Sequence, residues 1–220
     1  MPSLAEMYRP RSFSEIVGQD MALARLGTIE KTTGFEGQAF WLQGQPGTGK
    51  TSIARLIANE MTGGDYTACD ELDANALDVA TVRGWQRNRL TYRPLPPAKC
   101  WVWLINESQR LRDNTRTELL TFLEEERFGK VGVMLFTSMP TQKELFGDAT
   151  MASALLSRCH VMKLDSGRTY RLEVAKRLRE IAQSLHLDGK PEAAYTDLID
   201  SCNGNFREAL QKISSGCMMF

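Results

Sequence analysis

The sequence predicts an α/β protein, a parallel sheet flanked by helices and followed by a small helical domain, on three observations. Short and almost continuous apolar runs alternate with segments of helical periodicity. A glycine-rich octapeptide joins the first of these runs to a helix. After Leu164 the strand-like runs stop and only helical patterns follow. Near-continuous apolar strands belong to sheets covered on both faces, and such sheets are mostly parallel.

The runs are Ala39 to Gln43, Trp101 to Ile105, Val131 to Phe136 and Val161 to Leu164, with Glu71-Leu72-Asp73 as a shorter fifth. Thr51 to Met61 and Thr115 to Glu126 read as helices between them. In the second, Thr115 and Glu118 stand at capping-box spacing, and Leu119, Leu120, Phe122 and Leu123 supply an apolar face. Beyond Leu164, the residues Leu172, Val174, Ala175, Leu178, Ile181, Ala182 and Leu185 recur at helical spacing. A Leu187-Asp188-Gly189-Lys190-Pro191 turn ends that helix. Two shorter helical patterns follow, Ala193 to Ser201 and Phe206 to Ser214. The expected division is an α/β domain over residues 1–164 and a helical domain over 165–220, with the boundary near Asp165 to Gly167.

The 220 residues suffice for a large domain and a small one. Basic and acidic side chains number 27 each, so the net charge is zero, which leaves room for one basic face and decides nothing about nucleic acid. Cys69, Cys100, Cys159, Cys202 and Cys217 are scattered, with no C-x-x-C pair and no zinc spacing to His160 or His186. Reduced thiols are the expectation, with neither a disulfide framework nor a structural zinc. The N-terminus lacks a signal pattern, and no apolar run approaches the ~20 residues that span a bilayer. A cytoplasmic protein with no membrane partner is expected.

Gly44-Gln45-Pro46-Gly47-Thr48-Gly49-Lys50-Thr51, with Ser52 after it, fits the P-loop pattern between an apolar strand and a helix. Its glycines let backbone N–H groups curl around phosphates at a helix N-terminus that favours anions. Lys50 is expected to reach the β- and γ-phosphates of ATP, and Thr51 to ligate Mg²⁺. Trp101-Val102-Trp103-Leu104-Ile105-Asn106-Glu107 then has the form of a Walker B strand, with Asn106 where an acid normally helps to hold the metal. Glu107 stands where a general base would polarise the attacking water. Two readings stay open. Either the enzyme tolerates a weaker metal site, or it binds nucleotide and turns over slowly, in which case Asn106→Asp should raise the rate.

Further segments, in their order, resemble the ATPase subunits of AAA+ clamp loaders, such as bacterial gamma/tau and the replication factor C small subunits. Tyr8-Arg9-Pro10-Arg11-Ser12-Phe13-Ser14-Glu15-Ile16-Val17-Gly18-Gln19 is similar to the family's N-terminal box. By that resemblance Tyr8, Arg9 and Pro10 wrap the adenine base, and Ile16 and Val17 line its pocket. Glu71-Leu72-Asp73-Ala74-Asn75, with Val82-Arg83, resembles the second strand and the helix after it. Leu119-Leu120-Thr121-Phe122-Leu123-Glu124-Glu125 resembles the helix after Walker B.

Thr137-Ser138-Met139-Pro140 occupies the place of sensor 1, with Ser138 taken as the polar group facing the γ-phosphate. Ser157-Arg158-Cys159 matches the family's Ser-Arg-Cys motif, whose arginine reaches the ATP of the adjacent subunit. Such a finger is worth ~10³–10⁵ in rate. Gly204-Asn205-Phe206-Arg207-Glu208 resembles sensor 2, placing Arg207 on the phosphates and Asn205 at a helix cap.

The resemblance implies an AAA+ fold with a helical lid, and an oligomer of like or self subunits completed in trans by Arg158. It also implies action on a sliding clamp and DNA in replication. Arg83, Arg87, Arg112 and Arg116 lie on or near helices that could face a duplex. Besides Asn106, three features depart from the family. No collar follows the helical tail, no cysteine-rich zinc module is present, and Thr141 to Leu156 is longer than the usual link. The rival expectations are a helicase-loading or initiator-type AAA+ ATPase and an ATP-binding scaffold that does not hydrolyse.

Overall fold

The computed structural model describes residues 3–140 and 149–219. Its sheet has five parallel strands, β1 (Ala39–Gln43), β2 (Cys69–Asp73), β3 (Trp101–Asn106), β4 (Gly132–Ser138) and β5 (His160–Lys163), in the order β2-β3-β4-β1-β5. Every residue of central β4 is buried, as are four of the five in β1, while β2 at the edge carries the acidic residues Asp70, Glu71 and Asp73. Apolar continuity in the sequence thus tracks position in the sheet, because only inner strands are covered on both faces.

The helices are α1 (Leu4–Met7), α2 (Asp20–Thr32), α3 (Lys50–Thr62), α4 (Val79–Asn88), α5 (Asp113–Glu124), α6 (Phe128–Val131), α7 (Ala149–Ser157), α8 (Arg168–Ser184), α9 (Glu192–Ser201) and α10 (Phe206–Ser214). Side chains alternate across the sheet with the two-residue period of a strand. Phe40, Leu42, Leu104, Val133 and Leu135 pack on α2 and α3 through Leu26, Ile53 and Ile57. Trp41, Trp103, Met134 and Phe136 point the other way, onto Trp85 of α4 and Leu119 and Phe122 of α5. A third core lies within α8, α9 and α10, around Leu178, Ile181, Tyr195, Leu210 and Ile213. Leu4, Ala5, Tyr8 and Val17 from the start of the chain pack against this third core.

Three sequence expectations need correction. The capping box at Thr115 and Glu118 does not form: α5 begins at Asp113, Thr115 is buried inside its first turn, and Glu118 pairs with Arg83. Leu172 shares the periodicity of α8 but is 43% exposed, so it lies off the packed face. The tail is also not self-contained, since the N-terminal segment supplies part of its cover. Of the long link read from Thr141 to Leu156, residues 141–148 lie outside the described residues and α7 accounts for the remainder. Among the described residues, no helix is long and apolar enough to cross a membrane.

Phe122 is fully buried with its ring edge-on to Trp103 at 4.9 Å and 5.6 Å from Phe128. Removing a ring from such a site leaves a cavity that neighbouring aromatic rings cannot collapse to fill. Phe122→Ala is expected to cost about 3–5 kcal/mol in chemical denaturation, whereas Leu172→Ala stays within about 0.5 kcal/mol of the parent.

Candidate functional site

β1 ends at Gln43 between β4 and β5, and the chain turns through Gly44–Gly49 into α3 beyond the carboxyl edge of the sheet. Ligands of open parallel sheets bind at this edge. Gly47 and Gly49 have φ of 76° and 98°, a region where an L side chain is strained. A Cβ on Gly47 would also collide with Asn205 of the helical tail. Lys50 folds back along the loop, its Nζ donating to the carbonyls of Gly44 and Gln45 at 2.8 Å each. Burial pushes its ammonium down to about 8; Glu107 opposes the shift and Arg207 adds to it.

Gln19 fixes this loop from behind. It is 2% exposed, its Nε2 donates to the carbonyls of Thr48 (3.3 Å) and Asp165 (3.0 Å), and its Oε1 accepts from the Asp165 N–H at 2.8 Å. Tyr170, also buried, places its hydroxyl 3.2 Å from the Gly204 carbonyl and 3.4 Å from that of Gly47. The phosphate-loop turn, the segment before α8 and the turn before α10 are therefore joined by two side chains. Neither was identified as functional from sequence.

In front of the loop is a cleft of about 210 Å³. The P-loop contributes Pro46, Gly47, Thr48, Gly49, Lys50, Thr51 and Ser52, and the N-terminal segment Tyr8, Arg9, Pro10, Ile16 and Val17. Arg207 lies on the wall formed by the tail, as the sequence indicates, beside Phe206. Gly44 is behind this surface and contributes through its carbonyl to Lys50. Among the wall residues that sequence reasoning missed are Tyr170, Val174 and Arg177 of α8. Their spacing of four and then three puts them on one helical face, of which only Val174 had been read, as core. With Arg9, Lys50, Arg177 and Arg207 against Glu15 and Glu107, the wall carries a surplus of cations suited to a polyanion.

The strand ends form the rest of the site. Asn106 Oδ1 accepts from Thr137 Oγ1 at 2.9 Å and from Thr51 Oγ1 at 3.4 Å. Glu107 follows in the left-handed region with φ of 55°, and lines the cleft. Gln109 holds it, donating to Glu107 Oε2 at 2.7 Å while accepting from the Met139 N–H at 3.1 Å. Glu107 is thereby tied to the end of β4.

The sensor 1 assignment to Ser138 is corrected. The Ser138 hydroxyl is buried on the opposite face of the sheet, accepting from the Trp41 indole at 3.2 Å and donating to the Met139 carbonyl. Thr137 faces the P-loop helix instead, because residues two apart share a face and Thr137 continues the row of Val133 and Leu135. Arg158 is not on the cleft wall; it is half-exposed after α7, bonded to Ser157 Oγ and Glu124 Oε1 at 2.9 and 2.6 Å. Arg116, taken as a candidate for facing a duplex, is 4% exposed and bound to Asp113 and the Gln109 carbonyl, so it cannot present charge to solvent. Arg83, Arg87 and Arg112 are exposed, with Arg83 paired to Glu118.

The glycine-lined turn, the lysine and the cationic wall fit a nucleotide triphosphate. The Thr51 hydroxyl and Asn106 carbonyl oxygen are hard donors of the kind magnesium takes alongside water and phosphate oxygens. Residues 40–145 match the family described as ATPase family associated with various cellular activities (AAA). Over that stretch the chain is similar to AAA ATPases. It is 26% identical over 209 residues to replication factor C small subunit 1 of Pyrobaculum arsenaticum, covering 93% of this chain and 59% of that protein. It is 28% identical over 240 residues to DNA polymerase III subunit tau of Escherichia coli K12, covering 97% of this chain and 35% of tau. Its fold is similar to the Thermotoga maritima RuvB Holliday junction branch migration motor, with a TM-score of 0.67, 20% identity, and 94% and 64% of the two chains covered. The resemblance to clamp-loader AAA+ subunits and the AAA+ fold class expected from sequence are both borne out. The chain spans 59% of the length of its replication factor C relative.

Replacing Gln19 with alanine strands the Thr48 and Asp165 backbone groups in a buried setting, at a cost of about 2–4 kcal/mol. Amide exchange should accelerate at residues 48 and 165–167 before it does in β4. Uniform acceleration across the sheet would count against a local clasp.

Proposed function

We propose that this AAA+ chain binds ATP with Mg²⁺ in the cleft and hydrolyses it, as a clamp-loader-type subunit that works in an oligomer on a sliding clamp at DNA. The observation that carries the reading is the cleft itself. The P-loop and Lys50 form its floor, Tyr8, Arg9, Pro10, Ile16 and Val17 one wall, and Arg207 another. That arrangement has separate places for a base and for a phosphate tail. The replication factor C and tau relatives support the choice of clamp loading among AAA+ activities.

Lys50 turns from the carbonyls of Gly44 and Gln45 to the β- and γ-phosphates, exchanging two neutral acceptors for charged ones. Thr51 and Asn106 would hold the magnesium ion, which supplies charge neutralisation at the phosphate oxygens. Glu107 accepts a proton from the attacking water, with Gln109 setting its orientation. Thr137 takes the sensing role through its bond to Asn106, and Arg207 couples the phosphates to the tail. Arg158, remote from its own cleft, serves the site of an adjacent subunit and is released from Glu124 when it does so.

A non-hydrolysing ATP-binding subunit is the second reading, favoured by the uncharged Asn106 beside Thr51. Steady-state turnover with and without primed DNA and clamp separates the two.

Because the Lys50 ammonium titrates near pH 8 and only its charged form attracts phosphate, ATP affinity is level below that pH. Above it, affinity falls by about tenfold per unit until the pKa of the bound state is reached. Binding in that window takes up a proton, which calorimetry in buffers of different ionisation enthalpy measures. Lys50→Arg should flatten the profile, and Lys50→Ala should weaken ATP binding by about 10- to 100-fold. Unchanged affinity in Lys50→Ala would overturn the nucleotide site.

Arg158→Ala should leave the ATP affinity of the isolated chain within about twofold of the parent and lower turnover of the assembled protein by about 10³-fold. Equal turnover would remove Arg158 from the trans role.

A further inference from the structure

Asn106 has a carboxylate beside it that no part of the proposed mechanism uses. Its Nδ2 donates to Glu71 Oε1 at 2.8 Å. Glu71 is held in turn by Arg55, which grips it with two parallel bonds, Nε to Oε2 at 2.9 Å and Nη2 to Oε1 at 2.9 Å. Arg55 lies one turn after Thr51 on α3, and Glu71 lies on β2, whose Asp73 pairs in register with Asn106. The set closes a path from Thr51 through Asn106 and Glu71 to Arg55 and back along α3 to Thr51.

The chemistry of the partners decides which way the Asn106 amide points. The two ends of a carboxamide are nearly the same size, and the hydroxyls of Thr51 and Thr137 can each donate or accept, so they accept either orientation. An ionised carboxylate only accepts. Glu71 therefore selects the orientation with NH₂ toward β2 and oxygen toward Thr51 and Thr137. Arg55 holds Glu71 in place through both carboxylate oxygens, and shares Oε1 with the Asn106 amide.

We propose that Glu71 is a positioning residue for the metal side of the site: with Arg55 it aims the Asn106 carbonyl oxygen at the magnesium position. Asparagine is then not a weakened acid at this strand end but the partner that Glu71 requires. An aspartate there would set two carboxylates in hydrogen-bond range with no donor between them, and they cannot both ionise without repulsion. This reverses the expectation that Asn106→Asp simply raises the rate. The proposal rests on the nucleotide reading for its metal, though not for its side-chain arrangement.

Two measurements test it. Thermal melting without nucleotide at pH 8 compares the parent, Asn106→Asp, and Asn106→Asp combined with Glu71→Gln. The carboxylate introduced at position 106 faces Glu71 with no donor between them, so the single variant melts below the parent. The double variant, with an amide again between the two positions, recovers the parent's profile. Equal melting of the single variant and the parent at pH 8 would overturn the arrangement.

The second measurement is ATP affinity with Mg²⁺ and with EDTA, in the parent and in Glu71→Met. The Mg²⁺-dependent gain should shrink by about tenfold in Glu71→Met, as for loss of an outer partner of a metal ligand, while affinity in EDTA holds. An unchanged gain would overturn the link to the metal. If the parent binds no ATP in either buffer, the nucleotide reading and the metal link fall together. The melting profiles still decide whether Glu71 orients position 106.

Discussion

A positive charge buried against two backbone carbonyls organises the site of this molecule. Lys50 opens α3, and its ammonium sits on Gly44 and Gln45 in the turn that α3 itself terminates. Most surroundings that depress an ammonium would also expel it. Here the turn supplies acceptors, and Glu107 on the cleft wall contributes attraction. The turn can keep that shape only because Gly47 and Gly49 take backbone angles denied to other residues and Gln19 braces it from behind. The sheet order matters for the same reason: β1 is an inner strand between β4 and β5, so its end is flanked on both sides and the turn has fixed neighbours.

Much of this was legible in the chain. Four strands were readable as apolar runs, and the P-loop as a spaced pattern, because both depend on short-range chemistry; β2, with three acidic residues, gave only the short Glu71-Leu72-Asp73 signal. α9 and α10 were readable nearly to the residue, since Pro191 and Asn205 mark their starts. What sequence did not give was direction. Thr137 and Ser138 are adjacent hydroxyls at a strand end, and only the pairing of β4 with its neighbours determines which one faces α3. Arg116 looked like a surface charge because its spacing is indistinguishable from that of Arg112. It is buried because it lies one turn before Leu119 on the packed face of α5, where Asp113 and the Gln109 carbonyl take its charge.

The polar contacts missed from sequence are long-range ones. Gln19 reaches Asp165, Tyr170 reaches Gly47, and Asn106 reaches Glu71, each joining segments that composition and periodicity treat separately. A glutamine after a glycine carries no local mark of being buried, and a tyrosine at a helix start reads as core. Their roles come from where the fold brings the segments together, and they sit where the sheet, the tail and the N-terminal segment meet.

The packing of the N-terminal segment on the helical tail has a mechanical consequence. Leu4, Ala5, Tyr8 and Val17 cover the core of α8–α10, so this part of the N-terminal wall of the cleft shares a core with the wall bearing Arg207, while Ile16 packs with the sheet. The polypeptide passes from that shared core to the sheet twice, near Gly18-Gln19 and near Leu164-Asp165, and Gln19 bonds Asp165 at the crossing. Two covalent threads fastened side by side leave little freedom to slide or twist apart, but they do allow rotation about the line that joins them. A displacement at the P-loop end of the cleft would thus become swing about that line, carrying Tyr8, Val17 and Arg207 together.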